Sequence, residues 1–278
     1  MNIPIFYYII KTEGSVKMKK RTLSAVVLLI ILVGAVFFGY KVFSLVMLLA
    51  SIFGYYELFQ IKYEKRKQNI AMIQLLGYFS LIFLVLNDIF FTIDNNILVI
   101  LPILALSIPV VFYRDYDTYN INDAFYIMGS IFFLGFSFHN IAFMAKMDIY
   151  KCILIFLIAF TTDTYAYIGG NLIGKHPLTE ISPNKTIEGS IIGTIMGVLI
   201  GTVYYNLAIG GVGTTEMIFI CLILTLLSEI GDLVMSSIKR YFHKKDYSNL
   251  IPGHGGILDR FDSVLFVSLG LSIIVSIL

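Results

Sequence analysis

The chain has 278 residues, of which 58% are hydrophobic and only 14% are charged. A soluble domain carries roughly 45–50% apolar and about 25% charged residues, so this composition excludes a soluble globular protein and indicates an integral membrane protein. The formal net charge of +2 excludes the strongly basic character of a nucleic-acid-binding domain. Cys152 and Cys221 both lie in apolar segments and are interpreted as small core residues, not as a disulfide or metal pair.

The N-terminal segment contains a second methionine in a start-like context. The sequence Met18-Lys19-Lys20-Arg21 precedes a long apolar run, as in a bacterial start with a basic flank. Residues 1–21 are therefore interpreted as an extension with a possible true start at Met18. A poorly ordered tail and an interfacial segment are the other interpretations. The apolar run has no small-residue cleavage site, which favours a retained anchor over a signal peptide.

Long apolar runs divide the rest of the chain. A spanning helix needs about 20 mainly apolar residues, and such segments are predicted near 22–39, 42–60, 70–87, 95–113, 123–144, 151–170, 186–207, 216–235 and 258–278. The predicted fold is an all-α polytopic bundle of about nine transmembrane helices. Residues 22–149 would form the N-terminal membrane helices, and residues 150–278 the chemically rich helices and loops of one continuous membrane domain.

The placement of positive charge predicts an orientation for these helices. All lysines and arginines except Lys41, Lys146 and Lys151 lie in segments predicted to share a side with the N-terminus. Because positive charge concentrates in cytoplasmic loops, the N-terminus is predicted to be cytoplasmic and the C-terminus outside. The polar loops near 171–187 and 236–258 then both face the cytoplasm, where nucleotides are available.

The densest polar segment runs from residue 236 to residue 262. It interleaves cations and carboxylates around a Gly-His-Gly-Gly turn: Lys239, Arg240, Lys244, Lys245, Asp246, Asp259, Arg260 and Asp262. Cations, carboxylates and a flexible turn at a membrane surface suit metal-assisted phosphate chemistry on a lipid. A positive-inside flank is the simpler interpretation of the basic residues, but it does not explain the interleaved carboxylates.

Carboxylates near the ends of two predicted helices are candidate metal ligands. Glu229 and Asp232 are three apart and share a helix face, where carboxylates are costly unless paired or bound to a cation. If the last two helices are antiparallel neighbours, Asp232 and Asp259 can face each other and hold Mg²⁺, which takes one or two carboxylates plus substrate phosphates. The structural alternative is an ion pair: Asp232 with Arg240, or Glu229 with Lys239.

The turn before the last helix is rich in glycine. Gly255 and Gly256 permit backbone conformations that let phosphates approach N–H groups, although a tight turn alone would also explain them. His254 is predicted to donate to a phosphate oxygen, with protonation of a leaving group as the alternative. Arg260 beside Asp259 is a candidate for bidentate phosphate recognition. The chain has no G-x-x-x-x-G-K-[ST] sequence, which argues against a P-loop ATPase.

A second polar patch joins the sixth and seventh predicted segments. Asp163 and Tyr167 are four apart on an otherwise apolar predicted helix. Ser182 before Pro183 predicts a helix start with proline at the first helical position, whose free N–H groups would attract an anion. Lys185 would add positive charge beside it. An ordinary capped helix that enters the bilayer is the competing interpretation.

These polar residues fall on the sequence patterns of a known family. Residues 236–262 read S-x-x-K-R, four residues, K-D, and later P-x-H-G-G-x-x-D-R-x-D. Residues 163–170 read D-x-x-A-Y-x-x-G, and residues 182–189 read S-P-x-K-T-x-E-G. Together the patterns resemble those of the phosphatidate cytidylyltransferase (CDP-diglyceride synthase) family, over about residues 150–278.

The resemblance implies a reaction, a location and a set of site residues. The reaction would condense CTP with phosphatidate to CDP-diacylglycerol and pyrophosphate at a bacterial plasma membrane, with Mg²⁺ and a monovalent cation such as K⁺ as cofactors. The residues predicted to be catalytic are Asp232, Lys239, Arg240, Asp246, His254, Asp259 and Arg260. Those predicted to bind substrate are Asp163, Tyr167, Ser182, Lys185, Thr186, Glu188, Lys245, Gly255 and Gly256. The predicted metal ligands are Asp232 and Asp259, with Glu229 and Asp262 as weaker candidates.

Other functions and assemblies stay open at this stage. A polyprenol kinase or an ether-lipid cytidylyltransferase would use the same nucleotide. An ion-coupled transporter would also carry intramembrane carboxylates, although the polar residues cluster at one membrane face and not at the midplane. Small residues at every fourth position allow close helix packing, within one protomer or across a homodimer: Gly189, Gly193, Gly197 and Gly201.

Overall fold

The computed structural model describes residues 26–64, 70–113, 118–251, 253 and 255–277. Within these ranges the chain forms nine α-helices and no sheet: α1 Val26–Phe37, α2 Tyr40–Tyr63, α3 Ala71–Leu86, α4 Asn95–Phe112, α5 Ile121–Met147, α6 Ile149–Ile173, α7 Ile187–Ala208, α8 Thr214–Tyr241 and α9 Leu258–Ile277. Each helix overlaps one predicted apolar segment, so the predicted all-helical polytopic fold is confirmed.

Seven of the helices in the described ranges are long and apolar enough to cross a membrane. The shorter apolar helices are α1 and α3. The 16 residues of α3 give about 24 Å of helix, whereas the hydrocarbon core of a bilayer is about 30 Å thick. The chain is therefore an integral membrane protein with seven candidate spans, and two of the predicted spans are shorter apolar helices.

Helix α5 lies at the centre of the bundle. It packs against α2, α3, α4, α6 and α9, and its side chains Ile131, Leu134 and Phe138 are fully buried. Helices α6 to α9 form a second group, in which α6 packs most extensively against α7 and α8 against α9. The contacts of α5 with both α2 and α9 bring the N-terminal helices against the helices that carry the sequence motifs.

A stripe of glycines lets α7 lie directly against α6. A Cβ atom at Gly189 would lie 2.5 Å from the Ala166 carbonyl oxygen, and one at Gly193 would lie 2.6 Å from the Thr162 carbonyl oxygen. Both distances are shorter than van der Waals contact, so only glycine allows the backbones to approach this closely. The close packing that the four-residue glycine spacing predicts is thus found within one protomer.

Replacing Gly193 with alanine is expected to destabilise the protein by about 1–3 kcal/mol, because the added Cβ would push α6 and α7 apart. Gly129→Ala on α5 is the matched control, since nothing lies within 4 Å of its Cβ position and alanine favours the helix. Thermal unfolding in detergent measures the difference. Equal midpoints for the two variants would contradict this packing.

Helix α7 begins at Ile187, later than the start that Ser182 and Pro183 predict. Ser182 lies in a turn, closed by the Lys185 N–H, which donates to the Ser182 carbonyl oxygen at 3.0 Å. The N-cap of α7 is Thr186, whose Oγ1 accepts from the Gly189 N–H at 3.1 Å. The prediction of a proline-led helix start was wrong, because the chain first makes this turn and a threonine four residues later caps the helix.

Candidate active site

One end of the bundle gathers the loops that carry the predicted motifs. Lys244, after α8, lies 2.5 Å from a carboxylate oxygen of Glu64 at the end of α2. Lys62 of α2 lies 2.9 Å from Asp123 in the first turn of α5. The loop before α7 reaches α8 through an ion pair formed by its Lys185. These contacts place the loops after α2, α6 and α8 at the same end.

Three helices contribute carboxylates to one polar cluster, which we call the acidic cluster: Asp163 of α6, Glu229 and Asp232 of α8, and Asp262 of α9. Lys185 forms an ion pair with Asp232 and also interacts electrostatically with Asp163 and Asp262. Burial alone would lower the pKa of Lys185, but these carboxylates hold that pKa above its ordinary value. The lysine is therefore charged and partly balances the cluster.

Hydroxyl groups supply hydrogen bonds to the other carboxylates of the acidic cluster. Ser190 and Thr194 of α7 both donate to Glu229, and the bond from Thr194 is 3.3 Å long. The Ser263 hydroxyl of α9 donates to Asp163 at 3.2 Å. These bonds join α7 to α8 and α6 to α9, so they hold the four helices around the cluster.

Asp259 at the start of α9 belongs to a second ion pair. The Lys239 Nζ lies 2.7 Å from Asp259 Oδ1, and the two side chains are only 10% and 4% exposed. Asp259 Oδ2 accepts from the Tyr247 N–H at 3.0 Å and from the Gly256 N–H at 2.8 Å. Asp259 thus balances Lys239 and also fixes the backbone of the loop between α8 and α9.

The ion pairs that the sequence suggested as structural alternatives are not the ones that form. Asp232 pairs with Lys185 from another loop, not with Arg240, whose Nη1 donates to a backbone carbonyl of the following turn at 2.8 Å. Lys239 turns toward α9 and not toward Glu229. Helical spacing identifies neighbours on one helix, whereas Asp232 and Lys239 both pair with residues of other elements.

The acidic cluster contains oxygen donors of the type that binds hard cations. Its carboxylates outnumber the lysine that pairs with them, and carboxylate oxygens are the protein ligands of Mg²⁺. In the part of the chain that the structure describes, no three histidine, cysteine, aspartate or glutamate side chains already form a metal cage. Mg²⁺ commonly takes only one or two protein carboxylates and completes its shell with water and substrate phosphates. The metal-ligand roles of Asp232, Asp259, Glu229 and Asp262 stay predictions.

The glycine turn before α9 is held by the protein itself. Gly255 has a φ of +86°, which glycine adopts without steric cost. The Gly256 N–H donates to Asp259, so this group is engaged in the present conformation. Phosphate binding by Gly255 and Gly256 stays a prediction, and His254 lies outside the described residues.

The remaining predicted site residues lie on the loops and helix ends at this end of the bundle. Glu188 closes the loop between α6 and α7, where it accepts from the Lys175 N–H at 3.1 Å and lies 2.6 Å from His176 Nδ1. Exposed side chains at this end are those of Tyr167, Arg240, Lys245, Asp246 and Arg260. Their predicted roles in catalysis or substrate binding stay predictions.

Glu57 of α2 is a residue of this site that the sequence analysis missed. Its side chain is fully buried, and it accepts hydrogen bonds from the Ser248 hydroxyl at 2.6 Å, the Ile257 N–H at 2.8 Å and the Leu258 N–H at 2.9 Å. The sequence signal that could have identified Glu57 is a single carboxylate inside an apolar predicted span. Charges within the membrane are costly, so they mark functional or tightly paired positions.

Comparison with known proteins identifies the family of this chain. The cytidylyltransferase family pattern matches residues 19–278. A phosphatidate cytidylyltransferase of Staphylococcus haemolyticus is 32% identical over 258 residues, which cover 90% of this chain and 96% of that protein. A protein of the same name from Bacillus subtilis is 31% identical over 261 residues, covering 91% of this chain and 95% of that protein. The family match covers nearly the whole chain, which is an all-helical membrane bundle with these motifs at one end. The chain therefore belongs to the cytidylyltransferase family.

Proposed function

We propose that this chain is a phosphatidate cytidylyltransferase, which transfers the cytidylyl group of CTP to phosphatidate and forms CDP-diacylglycerol and pyrophosphate. The observation that carries the proposal is the convergence of the acidic cluster and the Lys239–Asp259 pair at one end of a membrane bundle. Family membership supports the reaction class. The names of relatives that are 31% to 32% identical support phosphatidate as the lipid.

The reaction needs no covalent enzyme intermediate. A phosphate oxygen of phosphatidate attacks the α-phosphorus of CTP, a new P–O bond forms, and the bond to the bridging oxygen of the β-phosphate breaks. Pyrophosphate leaves with that electron pair. Transfers of this kind depend mainly on positioning and charge neutralisation. Lys185 and Lys239 lie among the carboxylates at the site, and exposed cations supply further positive charge for the phosphates: Arg240, Lys245 and Arg260.

Mg²⁺ is the proposed cofactor, because carboxylate oxygens are the protein ligands that it prefers. Asp232 and Asp259 would hold it, Glu229 and Asp262 would be further donors, and a monovalent cation such as K⁺ beside it is part of the same proposal. When bound, Mg²⁺ would neutralise the triphosphate and stabilise the leaving pyrophosphate. Each principal carboxylate is also paired with a lysine, so the protein holds both signs of charge next to the reacting phosphates.

The active end faces the cytoplasm, where CTP is available. All lysines and arginines except Lys41, Lys146 and Lys151 lie in segments assigned to that side, as expected for cytoplasmic loops. The N-terminus is then cytoplasmic, and the C-terminus lies outside. Phosphatidate would reach the site from the inner leaflet of a bacterial plasma membrane, with its acyl chains remaining in lipid.

Purified protein in detergent, supplied with CTP and a panel of lipids, tests the proposal. The panel contains phosphatidate, a polyprenol and an archaeal-type ether-lipid phosphate, and mass spectrometry identifies the products. We expect CDP-diacylglycerol and pyrophosphate in equal amounts from phosphatidate, loss of both with EDTA, and recovery with Mg²⁺. Phosphorylated polyprenol without pyrophosphate would overturn the proposal in favour of a kinase. Product from the ether lipid alone would reassign the lipid substrate.

A further inference from the structure

We propose that Glu57 is a positioning residue of the active site, and that its carboxylate is the reason why glycine occupies position 256. The inference rests on the proposed function, because the helix start that Glu57 holds carries Asp259 and Arg260. Glu57 lies on α2, 201 positions before Leu258, to which it is hydrogen-bonded. The N-terminal helices thereby become part of the catalytic apparatus.

Glu57 caps α9 from a different helix. The first N–H groups of a helix have no partner within that helix, and the positive end of the helix dipole lies there. Glu57 accepts from the Ile257 N–H at 2.8 Å and the Leu258 N–H at 2.9 Å, while Ser248 donates to the same carboxylate at 2.6 Å.

Two carboxylates, those of Glu57 and Asp259, accept the backbone donors of the turn. The N–H of Gly256 donates to Asp259, and the N–H groups of Ile257 and Leu258 donate to Glu57. Three consecutive backbone donors are therefore committed to carboxylates immediately before Asp259. Because Glu57 belongs to α2, its bonds fix the position and rotation of the start of α9 relative to α2. They thereby also position Asp259 and its partner Lys239.

The same carboxylate excludes a side chain at position 256. A Cβ atom on Gly256 would lie 2.4 Å from Glu57 Oε1 and 2.6 Å from its Cδ. The φ of Gly256 is not positive, whereas that of Gly255 is +86°. Backbone strain thus demands glycine at 255, but contact with Glu57 demands it at 256. The Glu57 side chain cannot move aside without breaking its hydrogen bonds to α9.

Steady-state kinetics on Glu57→Gln test the positioning role. The amide keeps the size of the side chain but places a donor against backbone donors, so the start of α9 shifts. We expect kcat to fall about 100-fold, as for a misplacement of about 1 Å, with a much smaller change in the KM for CTP. Glu64→Gln is the matched control, because the ion pair of Glu64 with Lys244 is exposed and exposed ion pairs contribute little, so kcat should change less than about twofold. Wild-type kcat in Glu57→Gln would overturn the inference.

A double-mutant cycle tests the contact with Gly256. Gly256→Ala should lower kcat and the thermal midpoint in the wild-type background but have little further effect in Glu57→Ala, because residues in direct contact are not additive. Gly255→Ala should remain damaging in both backgrounds, since its strain does not involve Glu57. Additive effects at both glycines would overturn the inference. If Glu57→Ala does not fold, Glu57→Ser takes its place in the cycle. A wild type that makes no CDP-diacylglycerol would refute the proposed function instead, while the thermal midpoints would still decide the contact.

Discussion

Replacing Asp259 with asparagine is expected to reduce CDP-diacylglycerol formation on the order of 100- to 1000-fold, the loss typical of removing one preorganised electrostatic group. The change leaves the Lys239 ammonium buried without its counter-charge and weakens the acceptor for the Tyr247 and Gly256 N–H groups. It also removes one of the two principal proposed ligands of Mg²⁺. Rates measured at saturating CTP, with the protein shown to be folded by its thermal midpoint, give the comparison.

Asp94→Asn is the matched control for Asp259→Asn. Asp94 is exposed and caps α4, where it accepts from the Asn96 N–H at 2.8 Å, and asparagine is an equally good cap. The activity of the Asp94→Asn variant should therefore stay at the wild-type level. Loss of activity on replacing Lys239 but not on replacing Asp259 would contradict the metal-centred mechanism.

Replacing Lys185 with methionine is expected to destabilise the protein by about 3 kcal/mol and to abolish activity, because removing one member of a largely buried ion pair leaves a carboxylate uncompensated. The carboxylate is that of Asp232, which is 21% exposed in the pair, with Asp163 and Asp262 beside it. Millimolar Mg²⁺ should recover part of the decrease in the thermal midpoint, because a divalent cation can supply the missing positive charge.

Lys175→Met is the control for Lys185→Met. Lys175 lies in the same loop between α6 and α7, but its side chain is exposed, so its removal should leave the midpoint and its response to Mg²⁺ unchanged. Equal midpoints for the two variants would contradict the role of Lys185 in the acidic cluster. If the thermal midpoint of Lys185→Met does not change with Mg²⁺, a metal site at this cluster is contradicted.

The helices could be predicted from the sequence because each rests on a local property. An apolar run of about 20 residues forms a helix in lipid whatever its neighbours are, and each of the predicted runs became a helix. The glycine stripe of α7 likewise predicted close packing, but it carried no information on the partner. The structure identifies the partner as α6, where the carbonyl oxygens of Thr162 and Ala166 face Gly193 and Gly189.

The partners of the charged groups could not be predicted in the same way. Spacing along α8 placed Arg240 and Lys239 near the carboxylates of that helix, whereas Asp232 pairs with a lysine from the loop before α7. Glu57 was overlooked because its partners follow it by 191 to 201 positions. Such contacts depend on how the helices pack, which a single sequence does not encode in any local pattern.

The central claim is that a cytidylyl group passes from CTP to phosphatidate, and the position of a radioactive label tests it most directly. Purified protein with phosphatidate and Mg²⁺ is supplied in parallel with CTP labelled at the α-phosphate or at the γ-phosphate. The account predicts that the α-label enters the lipid fraction and that the γ-label leaves as pyrophosphate. Entry of the γ-label into lipid, with the α-label left in soluble CDP, would contradict it.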